Sequence, residues 1–417
     1  MKKINIVRRK LIKPSTPTPQ NLKNYKLSFK DELSPPSNVG VVLFYRSNPK
    51  QANVLEESLS GILPRFYPLA GRYIKEDFSV DCVDQGAEFV EAVADADDVE
   101  ADDLLPRQGD RFAGPTDALL SVQITELVKC GGLAVGVSVS HRIFDASSIG
   151  TFIAAWSNAS KILRGEEGII VVPTFDPHLL FPGKKRSYFS ETKPSETTTT
   201  IVSKRFSFKK ESIKNLRSKL NPKETFSKVR LVSAVIAKAL IRIDATKHSR
   251  PRPSLIIQAV DMRPRTAPPL PKHSCGNLAL HAVAKCPHGA AGLGLEEIAC
   301  VMSDAIEKTA SDCDKLASRG YEEVVIEAEA GLIEGLKSSE VNDLWFSDWS
   351  RFGLYDADFG WGKPVSVGMA RVPYERVTVL VNDRDGGGIE AWVHLSLDDM
   401  VCFEEDDEIK FYSTPNI

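Results

Sequence analysis

The stretch from Lys184 to Thr200, KKRSYFSETKPSETTTT, sets the strongest limit on how this chain can be organised. It is polar, poor in apolar residues, and ends in four consecutive threonines, the composition of a linker crossing between two packed halves. A chain of 417 residues holds two to three domains at about 150 residues each, so one central linker leaves two halves that can each bury a core. The expected division is residues 1–183, a crossover of 184–200 with the boundary near 195, and 201–417. No fixed-period repeat runs along the chain, which excludes a solenoid or propeller.

Both halves mix strand and helix patterns. LLSVQITELV (119–128) and LAVGVSVS (133–140) alternate in hydrophobicity around Lys129-Cys130-Gly131-Gly132, a hairpin signal. Ile149, Phe152, Ile153, Trp156 and Leu163 then follow helical spacing, with Ser147 or Ser148 as the expected N-cap and Gly165 just past the end. In the second half a strand is predicted at 201–208, helices near 209–220 and 228–243, the latter placing Val229, Val232, Val235, Ile236 and Leu240 on one face, and a buried strand at 255–260. VTVLVND (377–383) and IEAWVHLS (389–396) flank Gly386-Gly387-Gly388 as a second hairpin. The pattern predicts an α/β protein with mixed sheets in two domains.

Charge and cysteines narrow the function class. Lys+Arg 53 against Asp+Glu 56 leaves a net charge of −3, so the basic excess that wraps nucleic acid is missing. No apolar run approaches the roughly 20 residues of a membrane span, and no signal-peptide core follows the basic N-terminus. Seven scattered cysteines, odd in number and without a C-x-x-C, fit reduced thiols better than a disulfide framework or zinc site. The expectation is a cytoplasmic protein without metal; the sequon at Asn158-Ala159-Ser160 is then inert.

Chemistry concentrates at His141, just after the strand, with Asp145 four residues on. Alternation puts Ala134, Gly136, Ser138 and Ser140 on one face, small enough for backbone or ligand to approach closely. A histidine at a strand end suits general-base work, because its ordinary pKa lies near 6.5. Taken alone the motif is weak: with seven histidines, about half an H-x-x-x-D is expected by chance. Gly136-Val137-Ser138-Val139-Ser140 lacks the closing glycine of a nucleophile elbow, and Cys130 reads as a quiet turn residue. Asp358-Phe359-Gly360-Trp361-Gly362 contains D-F-G, yet neither a G-x-G-x-x-G loop nor a kinase catalytic loop accompanies it. On its own it reads as a turn needing two glycines around an aromatic.

Together, His141-Arg142-Ile143-Phe144-Asp145 and Asp358-Phe359-Gly360-Trp361-Gly362, about 210 residues apart, resemble the motif pair of the plant BAHD family of acyl-CoA-dependent acyltransferases. RFYPLAGR (65–72), SHRIFDASSIGTFIAAW (140–156), VDMRPR (260–265), CGN (275–277) and SDWSRFGLYDADFGWGKP (347–364) extend the resemblance over nearly the whole chain. The chain is most similar to the family's alcohol acetyltransferase branch, acting on alkaloids and terpenoids. The resemblance implies two chloramphenicol-acetyltransferase-like domains joined by a long crossover, with a channel between them and a monomeric state. It also implies acetyl-CoA as co-substrate, a small-molecule alcohol as acceptor, and no permanently bound cofactor.

A neutral alcohol is a poor nucleophile, so a base must take its proton as it attacks the thioester carbonyl, and His141 is the candidate. The resulting oxyanion needs donors. The resemblance assigns them to the Ser347-Asp348-Trp349 element, with Trp349 and Ser347 as the oxyanion or substrate-orienting pair; a buried core tryptophan is the other reading of Trp349. It makes Asp145 structural, paired with Arg263, and gives Asp358, Gly360 and Gly362 a supporting role near the CoA side. The residues that grip CoA stay unassigned. Two departures matter: Ala146 stands where glycine often follows the motif aspartate, and His273-Ser274-Cys275-Gly276-Asn277 replaces the Y-F-G-N-C element of malonyltransferases. The second tilts the donor towards acetyl-CoA over malonyl-CoA. A hydroxycinnamoyl- or benzoyl-CoA transferase of the same fold, or a non-catalytic binding homologue, are the alternatives.

Overall fold

The structure is a computed structural model. It describes residues 4–47, 49, 52–95, 99–106, 117–185, 200–223, 225–248, 252–286, 292–316, 320–321, 323–327, 332 and 341–416. Of the expected crossover, residues 186–199 lie outside the described residues.

The chain forms two compact units. The first comprises Met1–Ser195, Pro271–Leu278 and Phe352–Arg371; the second comprises Glu196–Leu270, Ala279–Arg351 and Val372–Ile417. Two short segments of the second half therefore belong with the first unit. That includes residues 358–362, which the sequence placed in the C-terminal domain. The reason is strand pairing: a C-terminal strand completes the edge of the first sheet, as follows.

Strands of the first unit are β1 (Ile4–Ile12), β2 (Asn24–Lys26), β3 (Asn38–Tyr45), β4 (Arg72–Ile74), β5 (Ser79–Asp81), β6 (Ala87–Ala94), β7 (Leu120–Leu127) and β8 (Gly132–Ser140). Those of the second half are β9 (Ile201–Phe208), β10 (Ser254–Asp261), β11 (Ala279–Cys286), β12 (Asn342–Asp348), β13 (Ser366–Met369), β14 (Val377–Asn382), β15 (Ile389–Ser396) and β16 (Thr414–Asn416). The first large sheet runs β1-β6-β7-β8-β3-β13, with β13 antiparallel to β3 and Val367 opposite Leu43. The β6/β7 pair is parallel and its other pairs are antiparallel, so the sheet is mixed. A small sheet, β2-β5-β4, stands beside it in sequence.

The small face of β8 is packed by backbone. A Cβ on Gly136 would lie 2.1 Å from the Leu104 carbonyl oxygen, so the 3-10 turn Ala101–Leu104 closes on the strand where only glycine fits. Close approach of backbone thus accounts for the glycine of that face.

The second unit's sheet runs β11-β10-β12-β14-β15-β9-β16, with β10, β12 and β14 mutually parallel. Parallel strands are buried on both faces, which accounts for the buried apolar residues Leu255, Ile256, Ile257 and Val260 of β10; Gln258 interrupts the run and Ala259 is exposed. The helix Lys228–Lys247 was expected to bury one stripe, but Leu231 to Ala237 are all buried. It packs against both the sheet and the helices Leu295–Asp314 and Leu397–Glu405, so more than one of its faces is covered. Its polar end is tied by Arg242, which bonds Asp406 and Glu408 at 2.7 and 2.6 Å.

Candidate active site

His141 opens a five-residue loop between β8 and the helix Ala146–Leu163. Each loop residue has its own hold. The His141 backbone N–H donates to Ser37 O at 2.8 Å, and Ile143 N–H donates back to Ser140 O at 3.3 Å. The Arg142 guanidinium lies 4.4 Å from the Tyr73 ring centroid, a cation–π contact. Phe144 is fully buried, with Phe175 at 6.2 Å between ring centroids. With its neighbours anchored in the core, the half-buried His141 ring is carried on a fixed backbone.

Asp145, not Ser147 or Ser148, is the N-cap. Its backbone is extended and Oδ1 accepts from Ser148 N–H at 2.8 Å. An ionised carboxylate at this place also meets the positive end of the helix, which a hydroxyl does less well. Its second oxygen accepts from Leu278 N–H at 3.0 Å. Ser148 Oγ donates to Asp145 Oδ1 at 2.8 Å and accepts from Gly276 N–H at 3.0 Å. Asp145 and Ser148 thus clamp both neighbours of Asn277. Gly276 has φ +145° and a Cβ there would sit 2.7 Å from Pro177 Cγ, so glycine is required for the chain to pass. This segment is the C-G-N noted in the sequence, to which no role had been attached.

Asn277 is the residue that the sequence reading missed. Its Oδ1 lies 3.0 Å from His141 Nδ1, and its Nδ2 donates to His141 O at 2.8 Å and to Asp31 Oδ1 at 2.9 Å. Two acceptors surround the amide nitrogen, which fixes the amide's orientation and leaves its oxygen facing the ring. Nδ1 must then carry the proton, and in the neutral ring the lone pair is on Nε2. In this tautomer the ring can accept a proton at Nε2.

The other expected site residues fall into separate groups. Ser347, half-buried, is the next-to-last residue of β12, and Trp349, buried, directly follows the strand; the Trp349 indole N–H donates to Ser347 Oγ at 3.0 Å. The indole proton thus points at the serine, and the serine O–H is the donor the pair can present. Arg263, 2% exposed, forms an ion pair with Asp261 at 2.9 Å. Both groups belong to the second unit, whereas His141, Asp145, Asn277 and residues 358–362 belong to the first.

Asp358 folds its own motif. Its Oδ1 accepts from the backbone N–H groups of Gly360, Trp361 and Gly362 at 2.8, 3.1 and 2.9 Å. Gly360 and Gly362 have φ of +99° and +100°, conformations that favour glycine. The turn presents Phe359, fully buried, to Trp156 at 5.0 Å and stacks it on Trp361 at 5.6 Å. Ser160 Oγ donates to Phe359 O at 2.8 Å, so the motif is fastened to the helix that starts at the His141 loop.

Known proteins share both sequence and fold with this chain. A malonyltransferase of Salvia splendens, described as pelargonidin 3-O-(6-caffeoylglucoside) 5-O-(6-O-malonylglucoside) 4'''-malonyltransferase, is 41% identical over 98% of this chain and 99% of its own. Vinorine synthase of Rauvolfia serpentina is 36% identical over 94% of each. A crystal structure of vinorine synthase superposes with a TM-score of 0.83, at 35% identity and 96% coverage of both chains. The model of the Transferase family matches residues 2–410. The chain belongs to that family, the plant BAHD acyl-CoA-dependent acyltransferases.

Proposed function

We propose that this enzyme transfers an acetyl group from acetyl-CoA to a hydroxyl of a plant specialised metabolite, an alkaloid or terpenoid, within a ternary complex. The observation that carries the mechanism is the 3.0 Å contact of His141 Nδ1 with Asn277 Oδ1, which puts the ring's lone pair on Nε2. Nε2 takes the acceptor's hydroxyl proton as its oxygen bonds to the thioester carbonyl carbon. The carbonyl oxygen becomes an oxyanion, for which the Ser347 O–H is the proposed donor, with the Trp349 indole N–H orienting that hydroxyl. Collapse of the tetrahedral intermediate breaks the C–S bond, and the CoA thiolate recovers the proton from the His141 imidazolium. No acyl-enzyme is needed.

Asp145 supports this chemistry by holding the loop and the Asn277 segment. Arg263, buried and paired with Asp261, is likewise proposed as a structural residue. A monomer in the cytoplasm is the proposed setting. The scattered cysteines favour it, and no helix among the described residues is long and apolar enough to cross a membrane.

Malonyl transfer is the second reading, favoured by the 41% identity with the Salvia malonyltransferase. The replacement of Y-F-G-N-C by His273 to Asn277 favours acetyl. Purified protein with acetyl-, malonyl-, benzoyl- and hydroxycinnamoyl-CoA in competition, and a panel of hydroxylated alkaloids and terpenoids, separates these donors through the acylated products formed. Acetyl product should dominate; a preference for malonyl-CoA would reverse the donor assignment. His141→Ala should lower kcat by about 10²–10⁴-fold, the usual contribution of a positioned base. Full activity in that variant would remove the base role.

A further inference from the structure

Asp31 stands two hydrogen bonds behind His141, and the reaction outlined above makes no use of it. It lies on the short helical turn Phe29–Glu32 and is 1% exposed. Its Oδ2 accepts from Ser28 N–H at 2.9 Å and Ser28 Oγ at 2.7 Å. Its Oδ1 accepts from Asn277 N–H at 3.0 Å and Asn277 Nδ2 at 2.9 Å. Each oxygen therefore faces two donors. An ionised carboxylate satisfies that arrangement, whereas an amide in its place would turn an NH2 group onto two other donors. Burial pushes the carboxyl up, while the bonds from Ser28 and Asn277 act in the opposite sense and favour the charged form.

We infer that Asp31 is a positioning residue for acyl transfer: by accepting from Asn277 it decides which end of that amide faces His141, and so which ring nitrogen carries the proton. The Asn277 amide has two orientations of nearly equal shape. In the observed one, Nδ2 meets the Asp31 carboxylate and the His141 carbonyl. In the flipped one, the amide oxygen would face those two acceptors, and Nδ2 would donate to His141 Nδ1. The ring proton would then move to Nε2, and the base would be lost. The His141 carbonyl also resists the flip, but a charged acceptor forms the stronger bond of the two. Asp31 thus supplies the larger share of the free energy that separates the orientations, without touching the ring.

The inference rests on the reading of His141 as the base, and it is tested by a signal that needs no turnover. Full-length protein labelled with 15N in its histidine rings reports the His141 tautomer directly. The unmutated enzyme should show the Nδ1–H form, and Asp31→Asn should shift His141 towards Nε2–H. In the same variant kcat should fall on the order of 10²–10⁴-fold, as for other bases held in the wrong tautomer, with KM for acetyl-CoA little changed. An unchanged tautomer in Asp31→Asn overturns the inference, whether or not activity falls, and assigns Asp31 to structure alone. Should that variant not fold, the unmutated protein still decides. Both Asn277 side-chain amide protons are expected to be protected from solvent exchange beside an Nδ1–H ring; free exchange or an Nε2–H ring overturns the proposal. Failure of the base reading looks different: His141→Ala would stay active while the tautomer result stood.

Discussion

In the first unit the hairpin of β7 and β8 runs into the helix Ala146–Leu163 through five residues, His141 to Asp145. In the second unit the hairpin of β14 and β15 runs into the helix Leu397–Glu405 with no loop between. There Ser396 both ends the strand and caps the helix, its hydroxyl accepting from Asp399 N–H at 3.2 Å. Each hairpin's second strand has a histidine near its end. His394 sits inside β15, fully buried, with Nδ1 3.1 Å from the carbonyl of Val377, its ladder partner. His141 begins just past the end of β8, and its Nδ1 meets a side-chain amide instead.

A difference of a few residues in register separates a histidine held in the core from the one proposed as the base. Within a ladder, the ring is surrounded by core and held by a strand carbonyl. Beyond the ladder, the ring can reach a substrate, but something other than the sheet must orient it. The first unit meets that need with a loop clamped by Asp145 and with an asparagine presented by Pro271–Leu278. The second unit has the hairpin, cap and helix without that loop, so its histidine stays in the core.

The comparison can be broken most severely at Asp145. Asp145→Ala removes the helix cap and the hold on Leu278, and should cost about 2–4 kcal/mol of stability as well as most activity. His394→Leu should destabilise by a smaller amount, about 1–3 kcal/mol, and leave kcat unchanged, because that ring is core. A large loss of kcat at full stability in His394→Leu would erase the distinction between the two histidines. Thiol labelling sharpens which unit is affected. Under native conditions Cys130 and Cys402, one exposed thiol in each unit, should react without changing the rate. Burial pushes the Cys82 thiol up to about 12, so at any assay pH below that it is neutral and its reactive thiolate is scarce. Asp145→Ala should speed labelling of the buried Cys82 and Cys275, while His394→Leu should speed that of Cys286 and Cys313. Labelling of all four at one common rate in both variants would show that the units do not respond separately.

Much of the local structure was legible. Both hairpins, the strand at 201–208 and the long helix from 228 appear where period-two and helical spacing put them. His141 was singled out because it follows a readable strand, but alone its motif was weak, and only the pairing with Asp358 to Gly362 made it the candidate base. The N-cap was missed by two or three positions, since Asp145, Ser147 and Ser148 are all capping types and only the backbone shows which one is extended. The one-sided reading of Lys228–Lys247 failed for a similar reason: a stripe can be counted along a helix, but the number of neighbours that cover it cannot. The small residues of β8 were read as room for backbone or ligand, and Leu104 supplies the backbone.

By itself the sequence determined what neighbouring residues decide together: the alternation of mixed strands and helices, the turn glycines, and a histidine placed where a strand gives way to a helix. Its paired motifs also carried the family. Tertiary structure decided the rest. It returned Pro271–Leu278 and Phe352–Arg371 to the first unit, set Asn277 against a histidine 136 residues away, and set Asp31 behind Asn277 across 246 residues. Spacing and propensity act over a few residues, so they cannot rank such partners. The tautomer of His141 is decided by one amide and one carboxylate, which come together when the chain packs.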